Sequence, residues 1–216
     1  MKFRAIIFDL DGTLLNTLED LANSMNSVLV RFGFPAWEVE KYKYFIGNGI
    51  GNLVRKVLPP GSCNEATVAV CLAAFREEYG RRWAEKTRPY DGIPELLDEL
   101  VKRNMQMAVL SNKADNFTRQ IVAGLLPRWK FNAVFGERSS VPKKPDPVAA
   151  IEIAQLFGIP AGNFLYLGDT GIDMKTANAA GMYAVGALWG FRNAEELLEN
   201  GAKALIAKPQ ELLDLL

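Results

Sequence analysis

The sequence predicts a doubly wound α/β sheet interrupted early by an all-helical insertion, and three observations carry that prediction. Short apolar runs alternate with helical periodicities through the second half of the chain, as in a parallel sheet covered by helices on both faces. Between Asn16 and Lys86 nothing reads as a strand. Three of the apolar runs end abruptly in polar residues: Asp9 and Asp11, Ser111 and Asn112, and Asp169 with Asp173. An open sheet of this class binds ligands beyond the carboxyl ends of its strands, so these groups are expected to meet.

Ala5 to Phe8 is apolar at every position, which suits a strand buried on both faces. Asp9 and Asp11 stand two apart, so their side chains share a side while the backbone stays extended. Two crowded like charges are costly unless a cation or shared proton relieves them. Taken alone, Asp-x-Asp-Gly is equally a surface turn. Asn16-Thr17 supplies a cap and Glu19 and Asp20 suit the first turn of a helix. Leu18, Leu21, Met25, Val28, Leu29 and Phe32 form its apolar stripe, and Gly33 ends it. A short helix is expected near Glu38 to Tyr44, then a glycine-rich loop, Ile46 to Gly51, that either hugs a ligand or turns between helices. A Pro-Pro-Gly break precedes a helix over about Asn64 to Glu85.

Tyr90-Asp91-Gly92 marks the return, and Pro94 suits the first turn of a helix running to Arg103. Strands follow at Met105 to Leu110, Ala133 to Phe135, Phe164 to Leu167, Tyr183 to Leu188 and Ala204 to Ile206. Helices are expected at about Asn116 to Leu125, Val148 to Phe157, Met174 to Ala180 and Gln210 to Leu216. The fold class is thus a Rossmann-like parallel sheet with a helical insertion: residues 1–15 and 87–216 in one domain, 16–86 in the other.

Composition narrows the chemistry. Lys plus Arg and Asp plus Glu both number 25, so no global field favours nucleic acid or an anionic membrane. No apolar run approaches a membrane span, and no signal-peptide pattern precedes the first strand, so a cytoplasmic location is expected. Cys63 and Cys71 match neither a redox pair nor a zinc clip and read as reduced packing residues. With no histidine in the chain, imidazole catalysis and His metal ligands are excluded. Carboxylates, Lys, Ser and Thr must do the chemistry.

Each polar cluster has a plain structural reading: Ser111-Asn112 as a helix N-cap, Lys143-Lys144 as solvated loop charges, Gly168-Asp169 and Asp173 as turn and cap residues. Their joint occurrence at strand ends suits phosphoryl transfer better. Carboxylates from two strands can hold Mg²⁺, an oxygen-seeking ion. A remaining Asp can act as nucleophile, with a lysine and hydroxyl donors neutralising charge.

Four segments, Phe8-Asp-Leu-Asp-Gly-Thr13, Ser111-Asn112-Lys113, Lys144-Pro-Asp-Pro147 and Gly168-Asp-Thr-Gly-Ile-Asp173, resemble the ordered motifs of the haloacid dehalogenase-like superfamily. The likeness covers essentially the whole chain, with 16–86 as a helical cap domain. Within the superfamily the chain is most similar to phosphoglycolate phosphatases, through Ile46-Gly-Asn-Gly49 and Arg88-Pro-Tyr-Asp-Gly92 as well.

The resemblance implies that Asp9 is the nucleophile and that Asp11 protonates the leaving alkoxide and later activates water. It implies Mg²⁺ bound by Asp9, the Asp11 carbonyl and Asp169, with Asp173 supporting the metal or orienting Lys144. Thr13, Ser111, Asn112 and Lys144 would bind phosphate, and Asn48 and Gly49 of the cap loop would lie near the substrate. Lys144 is chosen over Lys143 because it directly precedes Pro-Asp-Pro. Thr170-Gly171 departs from the usual pattern, where a Ser and a bulkier residue are common. The expected partner is a small phosphorylated metabolite, with no nucleic acid or membrane, and the chain is expected as a monomer or homodimer. The leading expectation is a Mg²⁺-dependent phosphatase acting on 2-phosphoglycolate. A sugar-phosphate phosphatase, pyrophosphatase or nucleotidase is the alternative. A phosphomutase, which resembles this pattern but carries a cap histidine, and a noncatalytic phosphate-binding module rank below these.

Overall fold

The structure is a computed structural model and describes residues 3–216. Strand β1, Ala5–Phe8, is buried at all four positions. It ends sooner than an extended Asp9 to Asp11 requires: the amides of Thr13, Leu14 and Leu15 all donate to the Leu10 carbonyl and wind the chain into a turn. A two-residue strand, β2 (Leu15–Asn16), leads to helix α1 (Leu18–Arg31). Thr17 is the N-cap residue of α1, but its side chain makes no capping bond. Helices α2 (Tyr42–Phe45), α3 (Ile50–Val57) and α4 (Glu65–Arg82) follow. Helix α3 is not foreseen by the sequence reading, because its eight residues are too few to establish a period. The glycine-rich segment before it turns the chain between α2 and α3.

Strand β3 (Arg88–Pro89) and helix α5 (Ile93–Lys102) begin the alternating half. Next come β4 (Gln106–Ala114), α6 (Asp115–Leu125), β5 (Ala133–Glu137) and α7 (Val148–Phe157). The chain continues through β6 (Phe164–Gly168), α8 (Gly171–Ala179), β7 (Tyr183–Ala187), α9 (Ala194–Glu199) and β8 (Ala204–Ile206), and closes on a 3₁₀ turn, Pro209–Leu215. Helix α9 is another element absent from the sequence reading. No helix among the described residues is long and apolar enough to cross a membrane.

Two compact units emerge, Met1–Asn16 with Pro89–Leu216, and Thr17–Arg88. The first contains a six-stranded sheet in the order β5-β4-β1-β6-β7-β8, with every neighbouring pair parallel. The α/β class expected from alternation is therefore observed. After β1 the chain builds one half of the sheet (β4, β5), then crosses to build the other (β6 to β8). That makes β1 the switch point, where such sheets place their ligands. Phe8 is level with Val109 on one side and Leu167 on the other, so Asp9 emerges between the ends of β4 and β6. One face of the sheet is sealed by a core that includes Ile7, Leu110, Ile153, Tyr166, Met174 and Leu197.

In the second unit α1 packs along α4. Asn26 on α1 ties down the chain beyond the helix, bonding the Trp37 amide (2.9 Å) and carbonyl (2.8 Å) and accepting from the Tyr42 hydroxyl (2.7 Å). Asp20, expected only to favour the helix dipole, is buried and receives bonds from the Lys86 amide and from the Thr87 amide and hydroxyl.

Candidate active site

Strand β1 carries Asp9 to the carboxyl edge of the sheet, and its neighbour β6 carries Asp169 just past its end. Asp173 lies on the first turn of α8, where its carboxylate completes a capping box with Thr170. Carboxylate oxygens of Asp9, Asp169 and Asp173 lie within 4.8 Å of one another, and all three residues are buried. Lys144, from the loop before α7, enters this group from the side. Its ammonium donates to Asp9 Oδ1 (2.8 Å), Asp173 Oδ1 (2.7 Å) and the Leu110 carbonyl (3.0 Å). Lys143 points elsewhere, 3.9 Å from Glu137 at the surface.

Both oxygens of Asp173 are engaged. Oδ1 holds Lys144, while Oδ2 accepts from the Thr170 amide (3.1 Å) and hydroxyl (2.6 Å). The cap reading and the lysine-orienting reading of Asp173 therefore describe two halves of one carboxylate. Asp169 is held similarly, accepting from the Thr13 hydroxyl (3.0 Å) at Oδ1 and the Phe191 amide (2.8 Å) at Oδ2. Gly12 has φ +90°, and a Cβ there would collide with the Asp169 carboxylate. Only glycine lets the turn after β1 come this close.

Ser111 and Asn112 are not helix caps: β4 runs on through Ala114 and α6 starts at Asp115. The Asn112 carboxamide instead grips the Lys144 backbone, accepting from its amide (2.9 Å) and donating to its carbonyl (3.0 Å). Ser111 Oγ accepts from the Lys113 amide (3.2 Å). Asn48 and Gly49 lie in the other unit, directly before α3.

Electrostatics single out the centre of the cluster. Burial, then the nearby Asp173 charge, pushes the Asp9 carboxyl up to about 7, although Lys144 opposes the shift. Asp169 is driven well above the usual range by burial and by Asp9 and Asp173, against the Phe191 and Thr13 donors. Burial alone would lower Lys144, yet Asp173 and Asp9 hold it well above an ordinary lysine. When all three carboxylates are ionised they outnumber the one ammonium by two in a buried site. A divalent cation that prefers oxygen ligands fits that excess and that donor set.

Some site residues carried no signal strong enough to find them in the sequence. Lys113, noted there only as part of a motif, places its ammonium on both oxygens of Asp11, at 2.9 and 3.0 Å. Trp189 donates from its indole to the Thr13 carbonyl (3.0 Å), and Phe191 reaches Asp169 through its backbone. Both follow β7, a fourth strand end. An aromatic-glycine-aromatic triplet there was the one available hint.

Comparison with known proteins agrees with this arrangement. A family profile described as haloacid dehalogenase-like hydrolase matches residues 6–187. A phosphoglycolate phosphatase of Pseudomonas fluorescens is 33% identical, covering 97% of this chain and 78% of its own length. One from Thiobacillus denitrificans is 29% identical, covering 95% and 92%. Among solved structures, a predicted phosphoglycolate phosphatase from Haemophilus somnus superposes with a TM-score of 0.92 at 26% identity, covering 100% of this chain and 98% of that one. With the matched profile spanning β1 to β7 and every strand that feeds the cluster, the chain belongs to the haloacid dehalogenase-like hydrolase family.

Proposed function

We propose that this chain is a phosphatase that hydrolyses 2-phosphoglycolate through an aspartyl phosphate on Asp9. The observation that carries the reading is the buried cluster of Asp9, Asp169 and Asp173 bridged by Lys144, gathered from the ends of β1 and β6 and the loop before α7. The names of the relatives support the choice of substrate. Asp9, Asp169 and the Asp11 carbonyl would hold Mg²⁺, which when bound supplies positive charge to the phosphoryl oxygens.

The chain's own residues do the rest. An Asp9 carboxylate oxygen attacks phosphorus, and the bond from phosphorus to the ester oxygen breaks, its electron pair leaving with that oxygen. Asp11 delivers a proton to it, releasing glycolate. Asp11 then takes a proton from a water molecule that attacks the same phosphorus, and the Asp9–phosphorus bond breaks to give inorganic phosphate and free Asp9. Lys144 offsets charge on the phosphoryl group and is itself aimed by Asp173 and Asn112. Thr13 acts by fixing Asp169.

A kinetic panel of phosphate esters with Mg²⁺, repeated with chelator, tests the proposal. Preference for sugar phosphates, nucleotides or pyrophosphate would reject the substrate. Full activity in the Asp9→Asn variant would reject the mechanism.

A further inference from the structure

Among the described residues, the mechanism above leaves one buried cation unused. Lys113 is 3% exposed at its side chain, and its ammonium sits squarely on the Asp11 carboxylate. A lysine is seldom buried without a purpose, since desolvating its charge is costly. Its position is also built with care. Across the β4–β5 pairing the register shifts between Leu110 and Ala114, so that Ser111, Asn112 and Lys113 stand opposite the single residue Gly136. Such irregularities re-aim side chains next to active sites. A Cβ at Gly136 would strike the Lys113 carbonyl and the Asp115 backbone, so the narrow fit depends on glycine. The Lys113 amide donates to Ser111 Oγ (3.2 Å) and its carbonyl accepts from Thr118 (3.2 Å), which pins the backbone on both sides.

From this placement we infer that Lys113 is a specificity-determining residue that binds a carboxylate on the leaving alcohol, one carbon from the ester oxygen. The inference rests on the reading of Asp11 as the group that serves that oxygen. A proton donor must lie within about 3 Å of the oxygen it protonates. The Lys113 ammonium is 2.9 to 3.0 Å from both Asp11 oxygens. It is therefore within roughly two hydrogen-bond lengths, about 6 Å, of the breaking bond. In a 2-phosphooxy carboxylate the carboxylate is separated from the ester oxygen by a single carbon and falls inside that reach. An ester with a neutral alcohol offers Lys113 nothing. One whose carboxylate is a carbon further out must fold back to meet it. The substrate class is thus 2-phosphooxy carboxylates, including but wider than 2-phosphoglycolate.

The test compares kcat/KM for 2-phosphoglycolate, 2-phospholactate, 3-phosphoglycerate and ethyl phosphate in the wild type, Lys113→Met and Lys113→Arg. A charged hydrogen bond of this kind corresponds to roughly a tenfold to hundredfold preference. The wild type is expected to favour both 2-phosphooxy acids over ethyl phosphate by that factor, with 3-phosphoglycerate behind them. In Lys113→Met the preference collapses, mostly through KM, and Lys113→Arg restores part of it. Equal losses on all four esters in Lys113→Met would overturn the inference, leaving Lys113 as a partner of Asp11 alone. A wild type that cleaves ethyl phosphate as well as the 2-phosphooxy acids overturns it without any variant having to fold, while leaving the phosphatase reading intact. Absence of cleavage of every ester with Mg²⁺ would reject the phosphatase reading itself, and the inference with it.

Discussion

Asp20 in the helical unit and Asp169 in the sheet unit are both buried carboxylates, at 1% and 0% exposure, held on opposite terms. Asp20 is met by three donors from the Lys86–Thr87 segment, at 2.7 to 3.0 Å, and ties together two stretches of one unit distant in sequence. Asp169 has two donors, but it shares its volume with Asp9 and Asp173; burial, and then the neighbouring carboxylates, raises the Asp9 and Asp169 carboxyls. Neutral donors in sufficient number make a buried carboxylate a structural clamp. Carboxylates crowded beyond their compensation cost stability, and that cost is tolerated where a ligand repays it.

The largest expected effect tests the crowded side. Asp9→Asn should lower kcat by about 10⁴- to 10⁶-fold, as for other nucleophile removals. Its melting temperature should stay at or above that of the wild type, because one of the crowded charges is gone. A melting temperature well below wild type would remove the distinction between the two clusters. Lys144→Met should destabilise the protein by about 3 to 5 kcal/mol in urea titrations, since it strands buried carboxylates. Lys143→Ala, by contrast, should leave both stability and activity unchanged.

Asp20→Ala strips the buried Lys86–Thr87 donors of their acceptor and should cost about 3 kcal/mol. Single-turnover chemistry in that variant should match the wild type. Saturating Mg²⁺ should stabilise the wild type by about 2.7 kcal/mol at a hundredfold excess over its dissociation constant. This gain should vanish in Asp169→Asn and persist in Asp20→Ala.

The smallest effect is one of slope. The Asp9 carboxyl is raised in the fold, so the native state holds a proton that the unfolded chain has released. Its contribution is present below the ordinary carboxylate range and is lost as pH rises towards about 7. In chelator, stability measured by denaturant titration should therefore decline over that window, and Asp9→Asn should flatten the decline.

Much of the sheet unit was legible because its signals are local. Continuous apolar runs at Ala5–Phe8 and Phe164–Gly168 mark strands buried on both faces, and the breaks after them mark the site edge. Helix α7 follows from its flanking prolines and apolar positions. Short elements were harder to see. Helices α3 and α9, at eight and six residues, hold too little of a period to announce themselves. The polar Ser111, Asn112 and Lys113 imply an early end to strand β4, yet all three are buried in an extended segment.

By itself the sequence determined the parallel α/β class, the helical insertion, and the carboxylates that terminate the apolar runs. Each of those depends on residues within a few positions of one another, where periodicity is encoded. Tertiary structure alone decided which groups touch. Lys113 finds Asp11 across 102 residues, Trp189 finds Thr13 across 176, and Thr87 finds Asp20 across 67. The first two of these contacts follow from the strand order, which sets β4 beside β1 and β7 just beyond β6, an order that long-range packing sets and no local window contains.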